Sequence, residues 1–255
     1  MKHGFSLVEL SIVLVILGLL VGGILSGQSL IRAAELRSVS SEYSRWVAAT
    51  QTFRDKYFSM PGDMNNATSF WGAAHATPAT CLTTVGTGTQ TCNGDANGSL
   101  SGSAAASQYG EWYTFWQHLA NAGLIEGTYS GIAGSGASYH LTSTNSPKSK
   151  LATSGLWMLA DDASSGAAMF PGAVARHNFR LGGVVTNSWP ASPLLKPEEM
   201  WNIDTKMDDG KPGTGKMTSQ LSTYIANCST TAVASTADYM LTYTSASCLA
   251  FMGLN

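Results

Sequence analysis

Hydrophobic and polar positions divide the chain into three regimes. Residues 5–31 read FSLVELSIVLVILGLLVGGILSGQSLI, with Glu9 the only ionisable side chain. At 1.5 Å rise per residue, about 20 such residues cross a hydrocarbon core of about 30 Å. A core helix of a water-soluble protein keeps a polar face, and this stretch has none. A membrane-spanning helix is therefore expected. From Val39 the pattern becomes one-sided. Val39, Tyr43, Trp46, Thr50, Phe53 and Tyr57 recur at steps of four and three, with Arg37, Glu42, Arg45, Asp55 and Lys56 mostly off that stripe. Met60-Pro61-Gly62-Asp63 closes the pattern, since proline cannot continue a helix and glycine permits a turn. The spacing predicts one helix over residues 5–58, roughly 80 Å long, its first half in a bilayer and its second against a globular head. The aromatic stripe reads as core packing.

The third regime, residues 59–255, is short apolar runs punctuated by Gly, Ser, Asn and Pro. A helix is expected over residues 109–122, with Trp112, Phe115, Trp116 and Leu119 on one face and Gly123 as its stop. Candidate strands cover residues 139–142, 156–160, 184–186 and 239–244. The fold class is α+β: a long N-terminal helix packed on a head with an antiparallel sheet. The formal charge is −2 and charged residues are 12% of the chain, so no basic face invites nucleic acid. Four cysteines, Cys81, Cys92, Cys228 and Cys248, form two sequence-local pairs, which suits an oxidising compartment, although four cysteines allow three connectivities. Disulfides Cys81–Cys92 and Cys228–Cys248 are expected. A zinc site is disfavoured, because the cysteines form no C-x₂₋₄-C pair.

Charge placement fixes how the apolar helix is to be read. A secretory signal peptide puts small residues after its apolar core. Here the small residue, Gly4, precedes that core, and Lys2 on the leader side favours a cytoplasmic N-terminus. Residues 4–10, Gly-Phe-Ser-Leu-Val-Glu-Leu, resemble the processing motif of type IV prepilins and type II secretion pseudopilins. The resemblance implies a pilin-like fold and cleavage between Gly4 and Phe5 by prepilin peptidase, with N-methylation of Phe5. It also implies four parts: a cleaved leader at 1–4, a transmembrane half-helix at 5–28, its extramembrane half at 29–58, and a head at 59–255. Glu9 has physical meaning of its own, because a carboxylate in hydrocarbon costs a few kcal/mol and wants a cationic partner. The freed amine of Phe5 on a neighbouring subunit is that partner under the resemblance; otherwise Glu9 snorkels to the interface. Many pilins carry a proline in this helix. None occurs here before Pro61, so any loosening falls to Gly18, Gly22, Gly23 and Gly27. Residues 53–57, 61–63 and 203–210 resemble segments of larger prepilin-like proteins and carry no role across.

Enzyme signals are weak. Residues 210–216, Gly-Lys-Pro-Gly-Thr-Gly-Lys, satisfy a phosphate-loop spacing, yet Met217 stands where Ser or Thr would hold magnesium, and no apolar strand precedes it. His75, His118, His140 and His177 are scattered singly, and Asp161-Asp162 and Asp208-Asp209 lie in turns. Residues 93–100 place Asn93, Asp95 and Asn97 at calcium-loop positions 1, 3 and 5 with Gly98 at 6, but Ala104 replaces the bidentate acid. Calcium is thus the one cofactor the sequence suggests. The expected function is a non-enzymatic filament subunit of a pilus or pseudopilus. Its expected partners are prepilin peptidase, like subunits and an inner-membrane assembly platform. The head is expected in the periplasm before assembly. The alternative is a periplasmic enzyme or binding domain held by an uncleaved anchor.

Overall fold

A computed structural model describes residues 6–81, 83–100, 110–134, 139–152, 154–161, 170, 176–186, 188–220 and 226–254. Helix α1 runs Leu7–Tyr57, 51 residues without a break. Ser6 starts it: its hydroxyl accepts from the Val8 amide, while its own amide donates to the Glu9 carboxylate at 2.8 Å. This reciprocal pair is a capping box, which satisfies amides that have no partner inside the helix. Among the described residues α1 is the one helix long and apolar enough to cross a membrane. Its apolar side chains stay exposed through Leu7 (87%), Leu19 (74%) and Ile31 (63%), so none of this half meets the head. Gly18, Gly22, Gly23 and Gly27 lie within the continuous helix with open space at each Cβ position.

The second half of α1 is the spine of the head. Val39, Trp46, Ala49, Thr50 and Phe53 are buried, Tyr57 packs at its edge, and the Tyr43 hydroxyl donates to the Gly253 carbonyl at 2.6 Å. Glu42, expected off the stripe, is buried instead. It follows Val39 by three residues and precedes Trp46 by four, which places it on the same face. Phe58 ends α1 in the left-handed conformation, its amide donating to the Arg54 carbonyl. Gly62 then takes φ +89°, and a Cβ there would lie 2.6 Å from the Glu111 carbonyl oxygen. Only glycine lets this turn lie against the next long helix.

Short helices α2 (Ala67–Trp71) and α3 (Pro78–Cys81) follow, the latter held by a Cys81–Cys92 disulfide. Helix α4, Glu111–Asn121, buries Tyr113, Phe115, Trp116 and Leu119 and stops before Gly123, at φ +73°. The sheet is antiparallel, in the order β1-β2-β4-β3, from β1 (Gly155–Asp161), β2 (His177–Gly183), β3 (Met217–Thr218) and β4 (Ala250–Gly253). Trp157, Leu159, Phe179, Leu181, Ala250 and Met252 join α1 and α4 in one core. The opposite sheet face is covered by Trp189, which packs on Leu156, Met158 and Phe251 while the Arg180 guanidinium lies over its ring.

The expected strand at 156–160 is β1. The other three expectations are corrected. Residues 139–142 and 239–244 contribute only isolated bridges, at Thr142 and Tyr239, and residues 184–186 follow β2 rather than forming a strand. Helix α5, Pro197–Met207, was not anticipated; Pro197 opens it and Met200 and Ile203 bury its inner face against α1. The Cys228–Cys248 disulfide ties the loop before β4 to that strand's entry, where Leu195 and Cys248 exchange backbone hydrogen bonds.

Candidate functional site

The sequence-predicted processing pair, Gly4 and Phe5, lies outside the described residues. Just after them, at Ser6, the capping box holds the Glu9 carboxylate over the first turn of α1. A helix N-terminus carries about half a positive charge, so the acid is favourably placed even within one chain. Its second oxygen has no bond among the described residues. The arrangement can therefore receive a further cationic donor without giving up the cap.

Where the apolar surface of α1 ends, Arg32 joins helix to head. Its Nε and one Nη donate to both Glu199 oxygens at 2.7 Å, and its remaining donors reach Glu35 at 3.0 Å and the Leu151 and Leu194 carbonyls. Burial alone would raise the Glu199 carboxyl, and the Arg32 hydrogen bonds bring it below its usual range. Sequence reasoning missed this junction, since Arg32 and Glu199 are remote in the chain.

Two groups of carboxylates come together in the head. In the first, Asp63, Asp95 and Glu111 each place an oxygen within 4.8 Å of the others. Asp63 follows the Pro61-Gly62 turn and accepts from the Asn97 and Gly98 amides, and Glu111 in the first turn of α4 accepts from the Asp95 amide at 3.3 Å. Burial pushes the Asp63 carboxyl up, against the pull of those two amides, and Asp95 pushes it further. Of the residues singled out for calcium, only Asp95 belongs to this group. Asn93 Oδ1 accepts from the Thr68 amide in the first turn of α2, and Asn97 Oδ1 from the Ser99 amide of its own loop, so both side-chain oxygens serve backbone amides. Asp63 and Glu111 went unrecognised because they come from other elements.

The second group is Asp204, Asp208 and Asp209, at the end of α5. Asp204 is fully buried; it accepts from the Tyr239 hydroxyl at 2.7 Å and from the Gly210 amide. Burial lifts its carboxyl to about 7, with Asp209 and Asp208 adding to the rise. Asp208 accepts from the Lys216 and Met217 amides, and Asp209 from the Lys211 amide and the Thr214 hydroxyl. The phosphate-loop look-alike is therefore a turn wrapped on carboxylates, its Gly210, Lys211 and Lys216 amides donating to acids. His118 is fully buried between the Gly62 amide and the Thr91 hydroxyl, and burial lowers it to about 4. His140 is likewise lowered to about 3. Both are neutral structural imidazoles at pH 7.

Residues 1–25 match the family described as Prokaryotic N-terminal methylation motif. The chain thus carries the prepilin-type cleavage and methylation signal of type IV pilins and pseudopilins, leading directly into α1. No curated protein and no solved structure matches the chain.

Proposed function

We propose that this chain is a structural subunit of a type IV pilus or pseudopilus, processed by prepilin peptidase and assembled through α1. One observation carries the reading: the methylation motif runs straight into a half-helix that is apolar on all sides and free of the head. Such a surface needs lipid before assembly and other helices after it. Cleavage falls between Gly4 and Phe5, and the head stands in the periplasm until subunits are drawn from the inner membrane onto an assembly platform. The test is intact mass and N-terminal analysis of protein from membranes and from sheared surface filaments. The expected species begins with methylated Phe5, and Gly4→Arg leaves a full-length precursor with no filaments. A surface-exposed head that retains Met1 to Gly4 in the wild type would show an uncleaved anchor and sink the proposal.

Calcium binding belongs to the same proposal as a secondary property of the head. The carboxylates that support it are Asp63, Asp95 and Glu111, rather than the Asn93, Asp95 and Asn97 set. Two of these acids are buried, and a divalent cation offsets the cost of holding three like charges together. Thermal melting of the full chain in millimolar calcium against chelator should show a rise that Asp95→Asn reduces; equal melting in both conditions removes the ion.

A further inference from the structure

We propose that the groove between α1 and α5 seats the headgroup of an anionic phospholipid from the leaflet where α1 leaves the membrane. The inference rests on reading the first half of α1 as membrane-spanning. The groove encloses about 250 Å³. Its floor is apolar, from Ala33, Leu36 and Ile203; its rim is polar and basic, from Arg37, Ser40, Asn202 and Lys206. Leu36 and Ile203 belong to the packed core, so the floor is rigid.

Position selects the occupant. The exposed apolar surface of α1 ends at Ile31, and Arg37 lies six residues on, about 9 Å along the axis. The headgroup layer adds about 5–8 Å on each side of the hydrocarbon, and long basic side chains reach back into it. Because Glu199 meets Arg32 while Lys206 meets the groove beside Ser40, α5 rises from the membrane alongside α1. It also exposes Trp201 (38%), a residue type favoured at membrane interfaces.

Charge makes the same selection. Among the described residues neither Arg37 nor Lys206 has an ion pair, whereas the nearby acids Glu35 and Glu199 are both engaged by Arg32. Glu198, exposed on the first turn of α5, does not line the groove. Two free cations around an apolar floor suit a phosphate with the start of its acyl chains. The apolar half of α1 from a second copy would bring the groove a single acid, Glu9, one charge for two cations.

The test uses the full chain in nanodiscs of equal phosphatidylglycerol and phosphatidylcholine, with lipids retained on release counted by native mass spectrometry. Two cations near an anionic surface correspond to about thirtyfold preference for phosphatidylglycerol. Arg37→Gln with Lys206→Gln should bring that ratio close to one. A wild-type ratio near one, or an undiminished ratio in the double variant, overturns the inference. Displacement of the lipid by equimolar free glycerol phosphate overturns it too, since the site would then be one for soluble phosphate. Dimers that take the place of retained lipid and are lost in the double variant make the groove a subunit interface and equally overturn it. Failure of the wild type to enter nanodiscs would remove the membrane reading itself, an outcome distinct from entry without lipid preference.

Discussion

Glu9 meets two demands, and one substitution separates them. Its carboxylate closes the capping box by accepting the Ser6 amide, and under the proposed assembly it also neutralises the Phe5 amine of a neighbour. Glutamine serves the cap about as well as glutamate, because the box needs only an acceptor at that position. Glu9→Gln should therefore insert and be cleaved normally, yet lose filament yield at equal expression, since the amine would be left uncompensated in a low-dielectric core. Wild-type yield would reduce Glu9 to a cap. A second residue, Asp204, answers to pH. Its folded carboxyl titrates at about 7 against about 4 when unfolded. Between those values the folded state holds a proton that the unfolded state has released, so this group's contribution weakens as pH rises from about 4 to about 7. Asp204→Asn keeps an acceptor for Tyr239 and removes the titration. Melting at pH 5 and pH 7.5 should show wild type losing at least about 1 kcal/mol relative to the variant, the value of one pKa unit. Parallel changes in both proteins would mean that Asp204 is ionised throughout.

At the scale of elements, the junction between α1 and the sheet depends on a buried acid. Glu42 accepts from the Trp157 indole at 2.7 Å, the Lys150 amide at 2.9 Å and the Ser149 hydroxyl at 3.0 Å. Glu42→Leu keeps the volume but leaves the buried Trp157 indole and Ser149 hydroxyl, and the half-buried Lys150 amide, without this acceptor. It should cost about 3 kcal/mol or more in a denaturant titration, whereas Glu42→Gln should cost less. A loss under about 1 kcal/mol for Leu would mean that water replaces the carboxylate. The same junction shows what sequence could yield. α1 and α4 were legible because their apolar residues repeat with helical period over many turns. β2 was not, since its alternation, Asn178 to Leu181, lasts only four residues before Gly182-Gly183; its polar members Asn178 and Arg180 are buried nonetheless, Arg180 beneath Trp189 and beside Phe251. α5 was hidden by its charges, with Met200 and Ile203 the only fully apolar side chains it buries besides Pro197. The short runs at 139–142 and 239–244 satisfied a strand pattern, yet their backbones turn instead, which periodicity over four to six residues cannot distinguish.

Across the whole molecule the physics divides at Arg32. Gly4, Phe5 and Glu9 could be singled out from sequence because the processing motif is contiguous, whereas Asp63, Asp95 and Glu111 meet only once the head has folded. The division has an energetic consequence. Residues 7–25 bury nothing, while Val39 to Phe53 lie in the core beside Trp116, Trp157 and Phe179. Arg32 fastens the helix to Glu199 and to two carbonyls just where the exposed apolar half stops. The exposed apolar half therefore has little effect on the stability of the head, and under the proposed assembly its surface is left for lipid and for other subunits. A chain beginning at residue 29 keeps Arg32 and every core position of α1. It should be a water-soluble monomer whose melting temperature lies within a few degrees of the full chain in detergent. Replacing Arg32 by Ala in that shortened chain should lower the melt by several degrees. The change leaves the half-buried Glu199 without its cation and frees the first turns of the helix to fray. Thermal unfolding followed by far-ultraviolet circular dichroism and by tryptophan emission separates these outcomes. Collapse of the shortened chain would show that the apolar half supports the head after all, and an unchanged melt for the Arg32 variant would confine that residue to an exposed ion pair.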